Sequence, residues 1–272
     1  MKAANAKNTW WVALALAVLV LPILTQAQVT NVMLQDGNST AVVAVNSDAG
    51  MHKWTVDGMN QLNQQWFWYR VGSGPEAPIN SISNPNWYQS AANTLDTTYA
   101  NGSYSVEISY TLVGGGAGSS DISEGITIHN SSASPLTMSF YQYSDFNLLN
   151  DPSGDQVVMD AGEAYQWKGA TSIAEGIIAP NADEFEANLT GGAGSTLYKL
   201  NNVNNLALND SAGAGPGDVT WAFEWDLTIA AGGTDIITKD KELDIYVVPE
   251  PSALALAFIG LVAVVFRRRT RA

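Results

Sequence analysis

The side chains most often used for catalysis are scarce in this chain. Histidine occurs twice, at His52 and His129, and no GxSxG elbow, HExxH helix, Walker loop or SxxK pair accompanies either one, so nucleophilic hydrolysis is unsupported. Cysteine is absent, which removes disulfides, thiolate metal sites and a Cys nucleophile. Carboxylates are plentiful. Two of them suffice for glycoside hydrolysis, but spacing along the sequence cannot supply the separation that reaction needs. Asp145-Phe-Asn147, followed by Asn150-Asp151-Pro-Ser-Gly154-Asp155, gathers oxygen atoms on a turn as calcium would want. Its candidate ligands are Asp145, Asn147, Asp151 and Asp155, and the alternative is an Asx-rich turn without an ion. The run from 114 to 121 looks superficially like a nonapeptide calcium repeat but has Ser120 where Asp is needed and no tandem copy, so it reads as a flexible loop. For binding, the aromatic cluster Trp66-Phe67-Trp68-Tyr69, with Trp87-Tyr88 after it, is the best candidate. In a strand its members alternate across two faces, so one pair packs inside while the other can stack on sugar rings; Trp66, Trp68 and Trp87 are the candidates, and packing on both faces is the alternative.

Strands must position these groups. Tyr104, Val106, Ile108, Tyr110 and Leu112 alternate with polar residues, as do Trp221, Phe223, Trp225, Leu227 and Ile229, which reads as half-buried β-strands. Leu136, Met138 and Phe140 repeat the pattern, and shorter candidates lie at 42–45, 66–71, 126–129, 156–159, 173–178 and 243–247. Clusters of Gly, Pro, Asn and Ser separate the runs at 72–75, 114–120, 150–154, 191–195 and 211–217. No convincing amphipathic helix or fixed-period repeat emerges. The fold class expected is all-β, an antiparallel β-sandwich of jelly-roll-like form spanning residues 28–246.

Charge narrows the partners. Between residues 28 and 248 six Lys and Arg face 25 Asp and Glu, a net charge of −19. A surface so acidic repels phosphate backbones and anionic lipid, which excludes nucleic acid and leaves cations and neutral glycans.

Both ends read as processing segments. Residues 1–27 open with Lys2 and Lys7, continue through an apolar run and close on Thr25-Gln26-Ala27, the three-part pattern of a signal peptide cut by signal peptidase after Ala27. Residues 253–266 are apolar throughout, about 21 Å as a helix, which is short against a hydrocarbon core of about 30 Å. Arg267, Arg268, Arg269 and Arg271 follow, can snorkel to the headgroups, and hold that end in the cytoplasm with the passenger outside. Ahead of the apolar run, Pro249 and Pro251 stiffen Val248-Pro249-Glu250-Pro251 into an extended peptide that a processing enzyme can grip.

These three elements, covering 247–272, resemble the PEP-CTERM sorting domain. The resemblance implies an exosortase-type processing partner, with Pro249, Glu250 and Pro251 as the recognition element and the transmembrane helix and Arg cluster as a temporary anchor. Residues 126–148 and 221–241 also resemble uncharacterised passenger domains that precede such tails, which implies a shared β fold and no established activity. The expectation is an exported, exopolysaccharide- or envelope-associated protein of the cell surface or biofilm, structural or glycan-associated and not an enzyme, with no cofactor apart from that calcium. The competing expectation is a secreted polysaccharide-active enzyme using a carboxylate pair.

Overall fold

The computed structural model describes residues 28–245. The expected signal peptide, the Val248 to Pro251 element, the apolar run at 253–266 and the Arg cluster lie outside the described residues. Among those residues no helix is long and apolar enough to cross a membrane.

Among the described residues eighteen strands form two sheets of nine. The first runs in space through β1 (Asn31–Asp36), β2 (Ser39–Ala44), β3 (Gly50–Val56), β5 (Leu62–Val71), β11 (Leu136–Phe146), β17 (Val219–Ile229) and β15 (Glu184–Leu189), with β4 (Met59–Asn60) on β3 and β6 (Ala77–Pro78) on β5. The second runs through β16 (Gly213–Gly217), β12 (Asp155–Met159), β13 (Glu163–Lys168), β14 (Thr171–Ala179), β18 (Thr234–Asp244), β10 (Ser119–Asn130), β9 (Tyr104–Gly116), β8 (Thr94–Ala100) and β7 (Asn86–Tyr88). Pairing is antiparallel apart from a short parallel contact of β3 with β5. The sandwich expectation holds at this level. Its jelly-roll form does not, since that arrangement has eight strands.

Aromatic residues fill the space between the sheets. Phe67 stacks on Phe140 at 5.6 Å, and Phe146 lies flat on Trp221 at 5.3 Å with Trp54 against its edge. Each such side chain contributes roughly 1.5–3 kcal/mol by leaving water. The alternating strand at 104–112 is β9, half-buried as its pattern says. In β17, by contrast, every residue from Val219 to Trp225 is buried. That departs from the half-buried expectation because the outer face of the first sheet is itself covered.

The cover is a short helix, α1 (Thr196–Asn202), which the sequence pattern did not reveal, and the segment that follows it. Ser195 caps it by accepting from the Tyr198 amide, and Glu186 of β15 ties it down by accepting from Thr196 and pairing with Lys199. The glycine run at 114–120 is another departure. Instead of a loose loop, β9 extends to Gly116 and β10 begins at Ser119. A Cβ on Gly114 would come within 2.4 Å of the Asp36 carbonyl oxygen, so the glycine there permits close backbone packing.

Candidate functional site

The structure separates the residues that the sequence groups together. Trp66 and Trp68 are fully buried; Trp66 donates to Asn80, and Trp68 donates to Asn201 under α1, so neither can stack on a sugar. That corrects the expectation, and the reason is the covered outer face of β5. Trp87 is 47% exposed on the edge strand β7, opposite the buried Thr97. His52 and His129 are partly exposed and pair with Asn31 and Thr234 respectively.

The expected calcium ligands diverge as well. Asp151 and Asp155 both face Lys168, at 2.7 and 3.8 Å, so a side-chain ammonium already serves that turn. Lys168 and Ser153 together hold the Asp151 carboxyl down at about 2. Asp155 is buried and also accepts from the Leu148 amide and from Gln166. Asp145 instead turns into a different cleft.

A second exposed aromatic surface lies on β13. Its burial alternates: Ala164 and Gln166 point into the sandwich, while Tyr165 and Trp167 lie on the outer side. Their rings lie 5.6 Å apart and within 24° of parallel. Val158 of β12, opposite Tyr165 in register, extends this surface, and Gly169 and Ala170 complete a shallow hollow of about 370 Å³. Tyr-x-Trp at strand spacing was the available signal, overshadowed by the denser run at 66–69.

The cleft of Asp145 lies on the outer side of the first sheet, where β5, β11 and the start of β17 meet α1. It has a volume of about 460 Å³, and its polar lining includes Asn63, Tyr143, Asp145, Asn201 and Asp218. Asp145 is only 4% exposed; its Oδ2 accepts from Asn63 at 3.0 Å and from Tyr143 at 3.5 Å, and its Oδ1 has no partner. Asp218 accepts from Thr190 at 2.6 Å through Oδ2, and its Oδ1 also has no partner. Burial above all, with the nearby Asp218 charge, pushes the Asp145 carboxyl up to about 6 against the hydrogen bond from Asn63.

Two further charge clusters escaped sequence reasoning. Between the sheets, Glu124 of β10 and Glu175 of β14 face Lys239 and Lys241 of β18, all fully or almost fully buried. Burial alone would raise the Glu175 carboxyl, but the two ammonium groups and the Trp221 indole N–H outweigh it and hold it at about 2. On the outer face of the first sheet, Arg70 pairs with Glu76 at 3.1 Å and reaches Glu224 at 3.7 Å. The two glutamates accept the backbone amides of Leu206 and Leu208, pinning the segment after α1.

The architecture defines the class first: an all-β domain of two large facing sheets, shared with several solved structures. One is a bacterial glucoamylase complexed with acarbose (8% identity, TM-score 0.59), of which the match covers 87% of this chain and 36% of the other, so this chain spans little more than a third of that protein. Another is a protein from Synechocystis sp. PCC 6803 (10% identity, TM-score 0.53, covering 82% and 98%). A galactose mutarotase-like protein from Lactobacillus casei ATCC 334 is similar at 9% identity and TM-score 0.50, covering 79% and 100%. These likenesses concern the fold. No curated protein matches the sequence. Residues 247–269 match the PEP-CTERM protein-sorting motif, and the chain is a PEP-CTERM domain-containing protein. The motif implies export and handling by an exosortase-type enzyme.

Proposed function

We propose that the chain delivers to the cell surface a non-catalytic domain that binds neutral glycans, and that its sorting tail is a temporary tether. The observation that carries the glycan reading is the pair of exposed Tyr165 and half-buried Trp167, whose near-parallel rings offer a flat apolar face to the C–H side of a sugar ring. The net charge of −19 over residues 28–248 disfavours anionic polymers and favours neutral ones. The similar folds belong to proteins named a glucoamylase and a galactose mutarotase-like protein, which supports testing carbohydrates first.

Probing a glycan array with the purified protein, with and without calcium, tests this reading. Binding to neutral glycans that falls about tenfold in Tyr165→Ala or Trp167→Ala is expected, the loss of roughly 1–1.5 kcal/mol of stacking. Binding unaffected by either substitution contradicts it. The second reading, a polysaccharide-active enzyme, is favoured by Asp145 and Asp218 sharing one cleft; shortened oligosaccharides, lost in Asp145→Asn, would establish it in place of the first. For the tail, cleavage just after Pro251 is expected in the mature protein. Mass spectrometry finding an intact Arg271-Ala272 terminus would overturn the tether.

A further inference from the structure

Negative charge and unused oxygen atoms accumulate in the Asp145 cleft beyond anything the fold requires. The Asp145 carboxylate is 96% buried by its 4% exposure, and its Oδ1 has no hydrogen-bond partner. Thr220, directly opposite Asp145 in the β11–β17 register, is buried and hydrogen-bonded to Tyr143, and Oδ1 of Asp218 two residues before it has no hydrogen-bond partner. A buried carboxylate without a compensating charge is costly, and this fold elsewhere supplies that charge: Glu124 and Glu175 have Lys239 and Lys241, and Glu186 has Lys199. Among the described residues no Lys, Arg or His lines this cleft, and the cleft is open to solvent.

We propose that the cleft binds a divalent cation of the calcium type, with Asp145 Oδ1 and Asp218 Oδ1 as the charged ligands. Two carboxylates balance the ion's two charges, and water oxygens complete the shell. Calcium takes six to eight oxygen ligands with loose geometry, whereas zinc and copper favour imidazole or thiolate, which this cleft does not offer. Among the described residues no group of three or more His, Cys, Asp or Glu is placed to hold a metal, so the charge density is low. The affinity expected is therefore that of extracellular calcium modules, a Kd of about 10⁻⁴–10⁻³ M. Asn147, Asp151 and Asp155 of the turn take no part. The glycan surface on β13 lies on the other sheet, so the two readings stand or fall separately.

Isothermal titration of the purified protein with calcium chloride decides the matter, alongside Asp145→Asn, Asp218→Asn and Asp151→Asn. One site is expected, weakened at least about tenfold by each of the first two substitutions and unchanged by the third, on the scale of a lost charged ligand. Absence of a saturable signal at about 10 mM calcium, well above that Kd range, would overturn the proposal, as would a site abolished by Asp151→Asn and retained by Asp145→Asn. If a variant fails to fold, the wild-type protein still decides: terbium luminescence sensitised through Tyr143 should appear and be displaced by calcium, and its absence contradicts the site.

Discussion

Two groups of acids in this molecule, one fully buried and one of a buried and a half-buried residue, have opposite surroundings. Between the sheets, Glu124 and Glu175 meet Lys239 and Lys241, two charges against two, sealed from water. On the outer side of the first sheet, Asp145 and Asp218 meet amides, hydroxyls and a cleft, two charges against none. The balanced group is complete within the chain, and it fixes how the sheets face each other, because its members come from β10, β14 and β18 and reach Trp221 of β17 across the gap. The unbalanced group leaves its charge for something outside the chain. Burial alone does not tell structural acids from ligand-binding ones; the local sum of charge does.

The comparison can be broken most forcefully at its balanced side. Lys239→Met removes one of two cations from a sealed site and leaves two carboxylates with one, so a loss of about 3–5 kcal/mol is expected in urea unfolding. Retention of wild-type stability would show that the four charges are not coupled.

At the unbalanced side the effect appears as pH dependence. The folded carboxyl of Asp145 titrates at about 6 against an ordinary 3.8, so the fold holds a proton that the unfolded chain has released. Stability from this group is therefore fullest below about pH 4 and is lost as pH rises to 6, by roughly 2–3 kcal/mol. Burial likewise raises Glu224 to about 8, extending the decline towards that pH, while Glu175, held at about 2, contributes stability that is lost only as pH falls below its ordinary value of 4.5. Thermal unfolding should give a Tm that falls from pH 5 to pH 8.5, more shallowly in Asp145→Asn; a Tm that rises over that interval would refute the assignment.

Smaller effects sharpen the picture of the cover over the cleft. Ser195→Ala removes the cap of α1 and should cost about 1 kcal/mol. Tyr165→Ala, on the outer face of β13, should change stability by no more than about 0.5 kcal/mol. A larger loss there would mean that the aromatic pair serves the fold.

Much of the sandwich was legible because half-buried strands leave a period-two pattern. The strand at 104–112 needed only that pattern, and the runs at 136–140 and 221–229 became β11 and β17. The outer cover was not legible. A seven-residue helix carries less than two turns of periodicity, and no pattern in β5 says that α1 will bury Trp68 from the far side. The same gap explains the site. Asp145 stood in the sequence beside Asn147 and Asp151, but β11 ends at Phe146 and those two residues belong to the turn that follows, while its companion Asp218 arrives through the pairing of β11 with β17. Sequence proximity favoured the wrong partners, while the charge balance that distinguishes the two acid groups depends on contacts across more than 60 residues.

The difference between the groups is tested most directly by melting two neutralised variants side by side at pH 7 in calcium-free buffer. Asp145→Asn is expected to raise Tm, because it removes an uncompensated buried charge, and Glu175→Gln to lower it, because it leaves two lysines facing one glutamate. A fall in both would contradict the distinction and return Asp145 to the ranks of structural acids.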